Sequence, residues 1–121
     1  MATPDPIRLV PFVPGGSDFA KSRELFGELG FEETWSSDGY VGFQSGGAKF
    51  ILQDLNEPSF ASNLMIRIEV QDLEAWWATA SAKGLPTRFS GFRLKPPTDF
   101  PRGREVHFID LAGVCWHVGT P

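Results

Sequence analysis

Cysteine and tyrosine occur once each in this chain, and methionine and histidine twice each. A single thiol excludes an intrachain disulfide. Cys115 stands inside an apolar run, where a buried, inert thiol is expected rather than a reactive one. Charged residues make up only 21% of the chain and the net charge is −4. No basic stripe is present to follow a phosphate backbone, so nucleic acid is not an expected partner. A mildly acidic surface favours cationic ligands slightly and is also an ordinary route to solubility. Nothing after Met1 reads as a signal segment and no apolar run is long enough to span a bilayer. The expectation is a soluble cytoplasmic protein with no membrane partner.

What the chain does have is apolar and aromatic substance: 41% hydrophobic residues, with eleven phenylalanines and four tryptophans among 121 residues. That is enough for one compact domain over residues 1–121 with a sizeable core. After a proline-rich lead-in at 1–6, residues 7–13 alternate as a strand, with Pro11 placing it at an edge or bulge. Ser17 or Asp18 can cap a helix over 18–29, whose stripe is Phe19, Leu25, Phe26 and Leu29 and whose stop is Gly30. Three short strands follow at 32–35, 40–44 and 49–53, separated by turn formers. Residues 56–63 are polar, contain Pro58 and link two halves.

The plan then restarts. Residues 64–70 alternate with period two. Asp72 can cap a helix carrying Leu73, Trp76, Trp77 and Ala80, which ends at Gly84. Residues 87–95 form one or two short strands, and 95–103 an irregular loop. Two strands near 104–110 and 114–119 close the chain as a hairpin. A two-residue loop at Leu111-Ala112 sets His107 opposite Trp116 and Val106 opposite His117. That register puts Val106, Phe108, Cys115 and His117 on one face, and Glu105, His107, Ile109, Val114, Trp116 and Val118 on the other. A slip of one residue exchanges the faces of a strand. Modules 7–54 and 64–119 thus share one order of elements, and neither closes a good core alone. The expected class is α+β, two βαβββ modules forming a cupped mixed sheet.

Three stretches carry a family likeness. Ile7-Arg8-Leu9-Val10-Pro11-Phe12-Val13 with Leu25-Phe26-Gly27-Glu28-Leu29-Gly30-Phe31 resembles the first strand and helix end of the glyoxalase/bleomycin-resistance/dioxygenase superfamily, the vicinal oxygen chelate fold. Ile66 to Leu73 resembles the start of its second repeat. Arg102 to His117 resembles the closing motif of its resistance proteins, with Arg102 in place of Trp, Leu111 in place of Pro and Val114 in place of Asn. The likeness implies paired βαβββ modules, commonly a homodimer, and ligand cavities lined by both subunits.

In metal-dependent relatives the ligands come from the first and last strands of each module. Matching strand positions gives Arg8, Ile51, Met65 and His117. Only His117 among these is a good nitrogen donor, so no metal, no cofactor and no catalytic residue is assigned. His117 as a general base is weighed against a strand histidine at a cavity floor or interface, and the second is preferred. His107 reads as structural. Cys115 and His117 lie two apart on a strand without an orienting acid, which is poor support for a nucleophile.

The remaining reading is a binding cavity. Arg8, Phe12, Met65, Arg67, Glu69 and His117 are the expected ligand-binding residues, with Trp35 and Phe50 near the rim. The aromatic rings offer stacking surfaces, while Arg67 and Glu69 orient polar groups. A non-catalytic protein that captures a small aromatic or amphipathic molecule, an antibiotic in resistance relatives, is the leading expectation. A lyase or dioxygenase-type enzyme, with or without a divalent metal, and a dimerising regulatory module are the alternatives.

Overall fold

The computed structural model describes residues 2–121, so Met1, at the head of the lead-in, lies outside it. The first module runs β1 (Phe12–Pro14), α1 (Phe19–Glu28), β2 (Glu32–Ser37), β3 (Tyr40–Ser45) and β4 (Ala48–Gln53). A short helix, α2 (Pro58–Ala61), occupies the link. The second module runs β5 (Met65–Glu69), α3 (Leu73–Ser81), α4 (Leu85–Arg88), β6 (Arg93–Leu94), β7 (Thr98–Phe100), β8 (Gly103–Ile109) and β9 (Cys115–Gly119). Strand order is β1-β4-β3-β2 in one sheet and β5-β9-β8-β6 in the other, with β7 also on β8. In each sheet the first strand pairs parallel with the last and the last pairs antiparallel with its predecessor. This is the doubled βαβββ plan. Among the described residues no helix is long and apolar enough to cross a membrane.

The starts of α1 and α3 follow their capping residues. Asp18 accepts from Lys21 N and Asp72 from Ala75 N, each satisfying an amide that the first turn leaves without a partner. The end of α1 is a Schellman motif. Phe31 N donates to Phe26 O and Gly30 N to Gly27 O, with Gly30 at φ 100°. The apolar contact that accompanies this motif is Phe26 against Phe31, with ring centroids 6.1 Å apart.

The inward faces of both sheets share one core. Phe26 of α1 meets Phe50 at 4.9 Å and Trp116 at 5.3 Å, and Phe50 meets Trp116 at 5.3 Å. Phe108 stacks on Trp116 at 5.6 Å, and Trp76 covers it from α3. Trp116 therefore ties the second module to the first.

Four expectations need correction. The strand at 7–13 shrinks to Phe12–Pro14. Pro11 has no N–H to donate, and the residues before it pair with no strand, leaving Ile7 and Leu9 86% and 87% exposed. The link holds a helical turn started by Pro58, and a second one, with Pro86 in its first turn, takes residues 85–88, leaving only β6 as a strand within 87–95. Phe50 belongs to the core, because β4 turns Phe50 and Leu52 inward and Ile51 outward.

The closing hairpin is the fourth. Its loop has three residues, not two: Asp110 N donates to Val114 O, Gly113 N donates to Asp110 O, and Gly113 has φ 103°. This is a turn followed by a glycine bulge. The added residue shifts the register by one, so His107 faces His117, Phe108 faces Trp116 and Val106 faces Val118. Val106, Phe108, Trp116 and Val118 face the core, and Glu105, His107, Ile109, Cys115 and His117 share the outward face.

Candidate functional site

Because both sheets turn one face to the common core, their other faces point away from it. On the first sheet a single cross-strand row contains Phe12, Ile51, Gly42 and Trp35. Trp35 lies flat across Gly42: a Cβ added there would fall 2.1 Å from the indole nitrogen. Tyr40 stands edge-on to Phe12 at 6.0 Å. Phe12 and Trp35 remain 55% and 44% exposed. The row is an apolar, aromatic wall.

The matching row on the second sheet is Arg67, His117 and His107. Glu105 stands in the next row, facing Gly119. Its carboxylate is only 2% exposed, yet fully engaged. His107 Nε2 lies 2.9 Å and His117 Nδ1 3.3 Å from Oε1, while Arg67 donates to Oε2 at 2.5 Å. Arg102 adds a longer contact at 3.5 Å. The Arg67 guanidinium can lie this close because Gly119 beneath it has no side chain. His107 is stacked on Phe100 at 4.6 Å, and Cys115 Sγ lies 3.6 Å from His117 Nε2.

The hydrogen bond from His107, joined by His117 and the arginines, holds the Glu105 carboxyl at about 2 against the upward pull of burial. Because this folded value lies below the ordinary 4.5, the resulting stability is present above pH 4.5 and is lost as pH falls toward about 2. Replacing Glu105 by glutamine is expected to cost about 2–3 kcal/mol at neutral pH. It should also flatten that acid limb, as followed by denaturant melts across the pH range.

Of the residues singled out from sequence, Phe12 and Trp35 share the first outward face, and Met65, Arg67, Glu69 and His117 the second. Arg8 stays in the exposed segment before β1, and Phe50 is inside. Strand pairing also revises the positions compared with metal-binding relatives. Ile51 pairs with Phe12 rather than Arg8, and His117 with Arg67 rather than Met65. Phe12 and Ile51 have no donor atoms and Arg67 is cationic, so those positions do not suit a divalent ion. Sequence reading missed Glu105 as the acid that joins both histidines. The Glu105-x-His107 spacing was the available signal, and the hairpin register hid its relation to His117.

A groove of about 590 Å³ opens elsewhere, between the turn at 45–48 and β5, with Arg67 and Glu69 on its wall. It touches the charged row only at Arg67, and the histidines do not line it.

No family model and no curated protein matches the chain. Solved structures do. A bleomycin-binding protein from bleomycin-producing Streptomyces verticillus, complexed with copper(II)-bleomycin, superposes with a TM-score of 0.79 at 24% identity, covering 98% of this chain and 99% of that one. The chain has the glyoxalase/bleomycin-resistance fold. A bleomycin resistance determinant encoded on the transposon Tn5 gives 0.75 at 21% identity over 92% of this chain and 94% of its own. TnmS3, an antibiotic-binding protein from a Streptomyces species, gives 0.70 at 22% identity over 95% and 97%. Within this fold, the outward faces described above are where the chain's own chemistry is concentrated.

Proposed function

We propose that the protein is a non-catalytic binder of a small aromatic or amphipathic molecule, acting as a homodimer. In this reading the aromatic wall of one copy faces the charged wall of the other. The observation that carries it is the pairing of two unlike outward faces on one core: Phe12, Tyr40 and Trp35 on one sheet, Arg67, Glu69, Glu105 and the histidines on the other. Phe12 and Trp35 on the first face and Met65 on the second stay exposed among the described residues. Exposed Ile7, Leu9, Phe12, Trp35 and Met65 are the apolar surface such pairing would bury. An aromatic body stacked on Trp35 with a polar end near Arg67 uses both walls. The names of the bleomycin-binding and antibiotic-binding proteins that share the fold support sequestration of a drug-like compound as the biological use.

Turnover is not part of this reading. A relay from Glu105 through His117 to Cys115 is aligned, but burial pushes the Cys115 thiol up, away from the thiolate a nucleophile needs.

The amphipathic dye anilinonaphthalene sulfonate serves as probe. It should bind saturably with quenching of tryptophan fluorescence, and Trp35→Ala should weaken it about tenfold, the effect of losing one stacking anchor. Sedimentation equilibrium should give twice the 13.4 kDa chain mass. A monomer at every concentration, or dye affinity indifferent to Trp35, would sink the reading.

A further inference from the structure

The geometry points to a divalent transition-metal site on the outward face of the second sheet, formed by Glu105 Oε1, His107 Nε2 and His117 Nδ1. It goes beyond the small-molecule reading and does not depend on it. Two imidazoles and one carboxylate form a donor set that suits zinc, nickel or copper. Metal–ligand bonds of about 2.1 Å place neighbouring donors roughly 3.0–3.4 Å apart. Here the two nitrogens lie 2.9 Å and 3.3 Å from the same oxygen, and all three atoms lie within 4.8 Å of one another.

These donors are held in place before any ion arrives. His107 and His117 face each other across β8 and β9, and their rings stand 4.1 Å apart. Phe100 stacks on one ring. Glu105 is buried and anchored through its other oxygen by Arg67, an arrangement that steadies a ligating carboxylate. On binding, the ion takes the place of the two N–H hydrogens now directed at Oε1. Each neutral ring moves that proton to its other nitrogen, a change of tautomer, and for His117 that nitrogen has Cys115 Sγ 3.6 Å away. No proton need leave the protein. Three protein donors leave the remaining positions to water, on the open side of the sheet.

Two cations oppose the ion. Arg67 engages the far oxygen and can stay. Arg102 lies 3.5 Å from Oε1 itself, but its side chain is 73% exposed and free to swing away.

The test is titration of the intact, metal-stripped chain with Zn2+ by calorimetry and with Co2+ by visible absorption. One ion should bind per chain. His107→Phe, which keeps the stack on Phe100, and His117→Phe should each weaken Zn2+ at least roughly tenfold. Arg102→Ala should tighten it several-fold. The cobalt spectrum should lack a thiolate charge-transfer band, since Cys115 lies on the far side of His117. Absence of stoichiometric binding, or wild-type affinity retained in either histidine variant, overturns the site, and a thiolate band overturns this donor set. Should a histidine variant fail to fold, Arg102→Ala still decides: unchanged Zn2+ affinity would mean that any bound ion sits elsewhere.

Discussion

Asp110→Ala should lower the unfolding free energy by about 3–5 kcal/mol, the range seen when one partner of a buried charged group is removed. Asp110 is 3% exposed and is the hub of the closing hairpin. Its Oδ1 accepts from the amides of Ala112, Gly113 and Val114, at 2.9–3.0 Å. Its Oδ2 accepts from the Trp116 indole at 2.9 Å. Alanine strands the indole N–H and the Val114 amide in the core, and each orphan costs about 1–3 kcal/mol. Asp110→Asn should lose less, because its oxygen can still serve the amides while its NH2 faces the indole donor. Burial pushes the Asp110 carboxyl up, with the indole and the three amides pulling it back. A raised folded value means that ionising the buried carboxyl costs some stability as pH rises from 3.8 through that value, opposite to Glu105, while its hydrogen bonds to the amides and the indole persist. Urea melts at neutral pH should rank wild type above Asp110→Asn above Asp110→Ala.

Trp116→Ala should cost a similar amount, about 3–5 kcal/mol, by a different mechanism. The indole contacts Phe26, Phe50 and Phe108, so its removal opens a cavity where the two modules meet. It also leaves Asp110 Oδ2 without its indole partner. The losses from Asp110 and Trp116 should therefore not add. The double variant is expected to be more stable than the sum of the singles predicts, by about 1 kcal/mol or more, because one hydrogen bond is counted twice. Trp116→Phe separates the effects, keeping most of the ring packing and removing only the N–H. Full additivity would show that the two side chains act independently.

These two residues also mark where sequence reading reached and where it stopped. The doubled plan was legible because the long helix of each module, α1 and α3, has its own capping aspartate and each module repeats one order of strand, helix and strands. The hairpin register was not recovered. A two-residue loop and a three-residue loop with glycine at positive φ both fit a short turn between apolar runs. Asp110 at the first turn position and Gly113 at the fourth are the preferred residues of a type I turn, which was the signal for the longer loop. That single residue of slip moved His117 to the wrong side of β9 relative to Glu105 and His107, and so concealed the cluster.

Phe50 was misplaced for a related reason. Lys49, Ile51 and Gln53 share the outward parity of β4, and only the isoleucine among them disguises it. Ile7 and Leu9 alternate as a strand should, but alternation reports a local pattern, and among the described residues no strand pairs with them. Period two puts Met65, Arg67 and Glu69 on one face of their strand, and in the structure they share one face of β5.

The most direct test of the proposed cavity is dye binding by a mixture of two variants, Trp35→Ala on the first sheet and Met65→Ala on the second, exchanged through reversible unfolding. Both side chains are exposed, so neither change should disturb the core. Each variant alone should bind weakly. If one copy supplies the aromatic wall and its partner the charged wall, half the dimers are mixed and one cavity in each is intact. About a quarter of the wild-type sites should then return at full affinity. A mixture that binds no better than its two components would contradict a cavity shared between copies.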